Sequence, residues 1–151
     1  MGDIHIVDKL FKAACAGVNT IVQATPDDLV PVFIILGAND ELTTVNWPFD
    51  VAPTMDTELT VAFLRRFHAV TAVHVGEFHA VITYAHDGSL VMTDLAVIWA
   101  ADASGERRQA SFSIDRSKPM GALERIIPSD NPRDEEPVPD PLWLVKALQA
   151  V

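Results

Sequence analysis

Four of the five histidines fall within residues 68–86. One stretch among them, His74-Val75-Gly76-Glu77-Phe78-His79, has the composition of a metal or acid–base site. Imidazole and carboxylate groups ligate zinc, and imidazole exchanges protons near neutrality. The spacing is not that of the helical zinc motifs. H-E-x-x-H places its histidines at i and i+4, and H-x-x-E-H places Glu beside the second His, because those positions share one helix face. Here the two histidines flank a glycine in a segment rich in β-formers. In an unbroken strand His74 and His79 point to opposite faces. A bulge at Gly76, which we expect, shifts the phase by one and brings them together. His79 and His86 diverge in a regular strand. The candidate metal or acid–base set is therefore His74, Glu77, His79 and His86. It stands against the plainer reading, which we favour, of histidines that face solvent or are satisfied in the core, with no metal or other cofactor.

Other chemistry is sparse. G-x-S-x-G, the P-loop pattern and G-x-G-x-x-G are all absent. Cys15, the single cysteine, lies among Ala13, Ala14, Ala16 and Val18 and reads as a buried, inert thiol. One cysteine also excludes an intramolecular disulfide framework. Asp94 and Asp102 flank the central strand; Asp94 reads as a solvated acid at the strand's entrance, the alternative being a buried carboxylate that needs a partner and could be catalytic. Trp47-Pro48-Phe49 is an aromatic cluster in a loop, suited either to anchoring a partner or to capping the core.

These residues need elements to position them. Residues 4–23 carry Val7, Leu10, Phe11, Ala14, Val18, Ile21 and Val22 at helical steps, with Asp3 as N-cap. Leu29 to Leu36 is a continuous apolar run, read as a buried strand, and Gly37-Ala38-Asn39-Asp40 turns it into a second strand over Glu41 to Trp47. A second helix opens at Thr54, with acids first and Arg65, Arg66 and His68 last, the order that complements the helix dipole. Two β-rich segments, Thr71–Val75 and Phe78–His86, lead through the Asp87-Gly88 turn signal to a central strand over Val91 to Ala101. Arg107 to Arg116 alternates as a strand wet on one side. Gly121–Ile127 reads as a short helix.

The order α-β-β-α-β-β-β with a C-terminal helix predicts an α+β fold, a mostly antiparallel five-stranded sheet packed with helices. This order is similar to that of profilin-like and roadblock-like scaffolds, a likeness of topology alone. We read residues 1–127 as a single α+β domain, 128–141 as a Pro-rich acidic linker or strap, and 142–151 as a C-terminal docking helix.

The chain has 151 residues and is 49% hydrophobic, which suits one domain with a core of its own. With 11 basic and 21 acidic residues its formal charge is −10, which argues against binding nucleic acid through phosphate contacts. The excess is segregated: residues 13–64 contain seven acids and no Lys or Arg. No apolar stretch is long enough for a membrane span, and Asp8, Lys9 and Lys12 interrupt the signal-like N-terminus. A cytoplasmic protein is expected.

Function is then read as a non-catalytic protein-interaction or accessory domain, acting through an acidic face, the C-terminal helix, or both. Trp143, Leu144, Leu148, Trp47 and Phe49 are the candidate partner-binding residues, the partner is a protein, and homo-oligomerisation is open. The alternative is a small metal-binding protein or enzyme built on His74, Glu77 and His79. A further alternative is an acidic decoy of a nucleic-acid-binding partner.

Overall fold

Two long antiparallel strands organise the chain. A computed structural model describes residues 4–83, 88, 90–121, 126–128 and 140–151. In it β3 (Ala69–Thr83) and β4 (Leu90–Asp102) pair without a break from Thr71↔Asp102 to Thr83↔Leu90. Around them the chain runs α1 (Ile4–Ala24), β1 (Val32–Gly37), β2 (Leu42–Asn46), α2 (Thr57–Arg65), then β3 and β4. It ends with β5 (Arg107–Ile114), β6 (Ile126–Pro128) and α3 (Leu142–Gln149). The sheet is antiparallel in the order β2-β1-β3-β4-β5-β6. The α+β class and the order of the expected elements are as the sequence implies. One short strand is added: Ile126 and Ile127, expected in a helix, pair with β5 instead.

The period of two along each strand sorts the core into two layers. Phe33, Ile35, Ala72, Leu95, Val97 and Trp99 point to one face, where α2 and α3 cover them with Phe63, Leu64, Leu144 and Leu148. Val73, Val75, Ala96, Ile98, Ala100 and Ile114 point to the other, where α1 lays Val7, Ala14, Val18 and Val22 along the sheet. The expected bulge at Gly76 does not form. Gly76 pairs with Val97 in the same register as its neighbours, so β3 is one strand through this point. His86 and Asp87, Asp3 and most of the Pro-rich segment lie outside the described residues.

Local chemistry sets the boundaries. Asp56 is the N-cap of α2, its side chain accepting from the Leu59 N–H at 3.0 Å, so the helix starts at Thr57 and not at Thr54. The helix ends without a glycine: His68 takes the left-handed conformation (φ 51°), and its carbonyl accepts from the Ala38 N–H at 2.9 Å. Asp40 takes the same conformation (φ 63°) in the β1–β2 turn, a role short polar side chains tolerate. Asp102 closes the far end of β4. It is buried, and its Oδ1 accepts from the backbone N–H groups of Ser104 and Glu106, closing the β4–β5 turn.

β1 departs from expectation in an informative way. A continuous apolar run is the mark of a strand buried on both faces, but of the large β1 side chains only Phe33 and Ile35 are fully buried. Val32, Ile34 and Leu36 are only partly buried: α1 packs chiefly on β3, β4 and β5, and Val32 and Ile34 sit at the margin of that cluster. Among the described residues no helix is long and apolar enough to cross a membrane.

Gly37 lies where backbone segments crowd. A Cβ there would come within 2.8 Å of the Phe67 carbonyl oxygen and 2.9 Å of Asn39 Oδ1. Gly37→Ala is expected to cost about 1–3 kcal/mol in urea denaturation. Gly17 in α1, whose added Cβ would meet nothing within 4 Å, is expected to gain about 0.5–1 kcal/mol as Gly17→Ala.

Candidate functional site

The face covered by α1 turns polar beyond the C-terminal end of that helix. Glu77 and His79 follow Val73 and Val75 on the same side of β3, and Asp94 stands directly opposite His79 on β4. Two further segments close over them: the α1–β1 connection with Asp27 and Asp28, and the turn after β5 with Arg116.

Arg116 holds the group together. Its Nη2 lies 2.6 Å from Glu77 Oε1 and its Nη1 3.0 Å from Glu77 Oε2, a two-pronged pair. Nη1 also donates to Asp94 Oδ2 at 2.6 Å, and Nη2 to the Asp27 carbonyl at 3.1 Å. Glu77, whose side chain is only 2% exposed, accepts in addition from the Leu29 N–H at 3.0 Å. One buried carboxylate thus ties the loop before β1 to the turn after β5, and it is compensated by charge and by hydrogen bonds, as burial requires.

His79 sits at the solvent side of this network, 52% exposed. Its Nδ1 is 2.6 Å from Asp94 Oδ1, and its Nε2 is 3.5 Å from Asp28 Oδ2. The hydrogen bond to Asp94 raises the His79 pKa above the ordinary histidine value. Partial burial pushes the Asp94 carboxyl up, but hydrogen bonds from His79 and Arg116 outweigh it and hold it below the ordinary carboxylate value. The His79 contribution to stability is complete below the ordinary histidine value and is lost as pH rises through the raised one. That of Asp94 is complete above the ordinary carboxylate value and is lost as pH falls through the lowered one. The pair is at full strength between those two ordinary values.

Of the four histidine-cluster candidates, the structure brings together Glu77 and His79. His74 points to the opposite face because β3 does not bulge, and His86 lies outside the described residues. His74 is buried, stacked parallel to Trp99 at 5.9 Å and packed on Phe33 at 4.5 Å. Burial lowers its pKa from 6.5 to about 3, against a hydrogen bond to the Val32 backbone, so it is a neutral core residue. Asp28 and Arg116 were not among the candidates. Donor atoms of Asp28, Glu77 and His79 lie within 4.8 Å of one another, close enough to share a cation. The guanidinium of Arg116 already takes both oxygens of Glu77, however, and a metal ion would have to displace it. Cys15 is half-buried, and burial raises its pKa away from the reactive thiolate.

The aromatic and C-terminal candidates lie on the other face. Leu144 and Leu148 are buried, because α3 docks on the sheet of its own chain. The Gln149 side chain donates to the Ala103 carbonyl at 3.1 Å and Arg65 to the Ala150 carbonyl at 2.8 Å, fixing the end of the helix. Trp143 is half-buried with its ring edge-on to Trp99 at 5.3 Å. Trp47 is buried, donates through Nε1 to the Val51 carbonyl at 2.7 Å, and meets Phe33, Phe49 and Phe63 edge-on. Phe49 keeps 40% of its surface exposed. Asp140, from the acidic tail, pairs with Arg107 at 3.2 Å.

The uncovered part of the α1-side face forms a groove of about 490 Å³. One wall is α1, with Ala13, Gly17, Val18 and Ile21; the floor is Val32, Ile34, Thr44 and Asn46; Asp27 and Asp28 close one end. Ile21, expected in the core stripe of the helix, is 50% exposed at the rim, and Val30 is 61% exposed beside it. No protein-family model, curated protein or solved structure matches the chain.

Two measurements check this geometry. Arg116→Leu strands the Glu77 carboxylate and is expected to cost about 3–5 kcal/mol, most of which returns when Glu77→Leu is added; equal losses in both variants would refute the pairing. A proton taken up only by the unfolded chain makes stability fall with acid, by up to about 1.4 kcal/mol per pH unit. For His74 that window runs from 6.5 down to about 3. Denaturation series should show that His74→Phe removes this component, and parallel pH profiles for the two proteins would contradict it.

Proposed function

We propose that this chain is a non-catalytic protein-interaction or accessory domain whose contact surface is the groove between α1 and the β1–β2 hairpin. The observation that supports this is the mismatch in β1. Its sequence is apolar on both faces, but one face is only partly buried, beside the exposed Ile21 and Val30. Isolated exposed apolar residues are ordinary, whereas a contiguous apolar groove with a polar end is the form that contact sites take. The acidic lip of Asp27 and Asp28, in a stretch devoid of Lys and Arg, gives that groove a sign and favours a partner segment of opposite charge.

In this reading α3 is structural, since its apolar side completes the chain's own core, and the interaction surface passes from the C-terminal helix to the acidic groove. The protein acts as a soluble cytoplasmic component that needs no cofactor.

The test is co-purification with in-cell cross-linking in the organism that encodes the chain. Ile21→Asp and Val30→Asp, at exposed positions, are expected to leave stability within about 0.5 kcal/mol and to remove the cross-linked partner. Met55→Asp, also exposed but away from the groove, is the control. Loss of the partner with the control as well, or its retention in both groove variants, would reject the reading.

A further inference from the structure

We infer that the groove receives an amphipathic helix of a partner protein, apolar along one side and carrying Lys or Arg at the end that meets Asp27 and Asp28. This rests on the interaction reading above and specifies the occupant.

Dimensions come first. Neighbouring strands lie about 4.8 Å apart and a helix with its side chains is about 10–12 Å across. The α1-side surface of β1 and β2 is therefore as wide as one helix. On this side α1 packs chiefly on β3, β4 and β5, with Val32 and Ile34 of β1 only at its margin. A second helix beside it would continue the same layer over Val32 and Ile34. The low wall presented by Ala13 and Gly17 lets such a helix approach α1 closely.

Charge decides between occupants. The groove is lined by two carboxylates and by no Lys, Arg or His. It also lies at the C-terminal end of α1, where the helix dipole is negative, and the last turn of α1 carries no basic residue. Arg116 compensates part of this potential: it is bonded to Glu77, Asp94 and the Asp27 carbonyl and lies 4.0 Å from Asp28, whose other oxygen is 3.5 Å from His79 Nε2, yet the Asp28 side chain stays 69% exposed. A cationic side chain on the incoming helix meets the exposed carboxylate of Asp28. A second copy of this chain would bring a formal charge of −10 to the contact, with its own Lys- and Arg-free segment, and is disfavoured. A strand added at the β2 edge would leave the floor of the groove uncovered, whereas a helix laid along it buries that floor.

The probe is an end-blocked peptide of about 18 residues with Leu at i, i+3, i+4 and i+7 positions and Lys elsewhere. Its partners in the experiment are a scrambled Leu/Lys peptide of equal charge, a Leu/Glu peptide and an alternating Leu/Lys strand peptide. Binding is read by calorimetry and by amide shift mapping on the full chain. The helical Leu/Lys peptide is expected to bind at least about tenfold more tightly than the other three, a difference of ~1.4 kcal/mol. It should shift the amides of Val18, Ile21, Ile34 and Thr44. Ile21→Asp should weaken it by about tenfold or more, and Asp27→Asn with Asp28→Asn by about threefold to tenfold.

Equal affinity for the scrambled peptide would reduce the effect to net charge and overturn the inference. Preference for the strand peptide would do the same in favour of edge pairing, and shifts confined to α2 and α3 would move the site. If no peptide binds but Ile21→Asp still removes the cellular partner, the helical occupant is wrong and the interaction reading stands. If neither occurs, both fall.

Discussion

The register between β3 and β4 is the constraint on which the rest depends. Side chains alternate between faces with a period of two, so a slip of one residue would exchange every inward and outward position. The unbroken pairing from Thr71↔Asp102 to Thr83↔Leu90 sends His74 and Trp99 into the layer beneath α3. The same pairing sends Glu77, His79 and Asp94 to the α1 side. Both faces of these strands are apolar through their middle, which makes the register costly to change. A slip would put Glu77 against Phe78's neighbours and strand it without Arg116. Sheet geometry and the charge network therefore specify each other.

Much of the fold was legible because its signals are local. Helical spacing from Val7 to Val22, the turn chemistry at Asn39-Asp40, and the alternation of β5 each lie within a few residues of chain. Gly76 misled because a glycine inside a strand usually marks a bulge; here an added Cβ would meet only ordinary contacts, 3.5 Å from His74 Nε2 and 3.6 Å from Phe78, and the ladder simply continues. The end of α2 at His68 carries no glycine to announce it. β6 is only three residues long, below what periodicity can register.

The polar cluster was half legible. Glu77 and His79 stand two apart on a strand, and that spacing suffices to place them together. Arg116 is 39 residues from Glu77, and Asp28 reaches His79 across the sheet from the loop before β1. Their meeting is a product of topology that no linear motif encodes. In the structure this cluster ties down the segment Asp27–Leu29, which lines the groove. The arginine that makes the cluster stable also occupies the place a metal ion would need. The apolar run of β1 reads as a strand buried on both faces, but the structure buries one face and only partly covers the other, because how far α1 reaches across the sheet is set by topology.

The position of α3 has a consequence for biogenesis. Leu144, Val145, Ala147 and Leu148 complete the layer over Phe33, Leu95 and Trp99, although they follow those residues by many steps in the chain. During synthesis the sheet can pair before this helix emerges from the ribosome, but its α2-side face cannot close. For that interval the nascent chain presents large apolar side chains at the centre of a paired sheet, the kind of surface that aggregates or engages chaperones. Sealing of the domain thus waits on α3: translation must run past Leu148 before the layer over Trp99 can close.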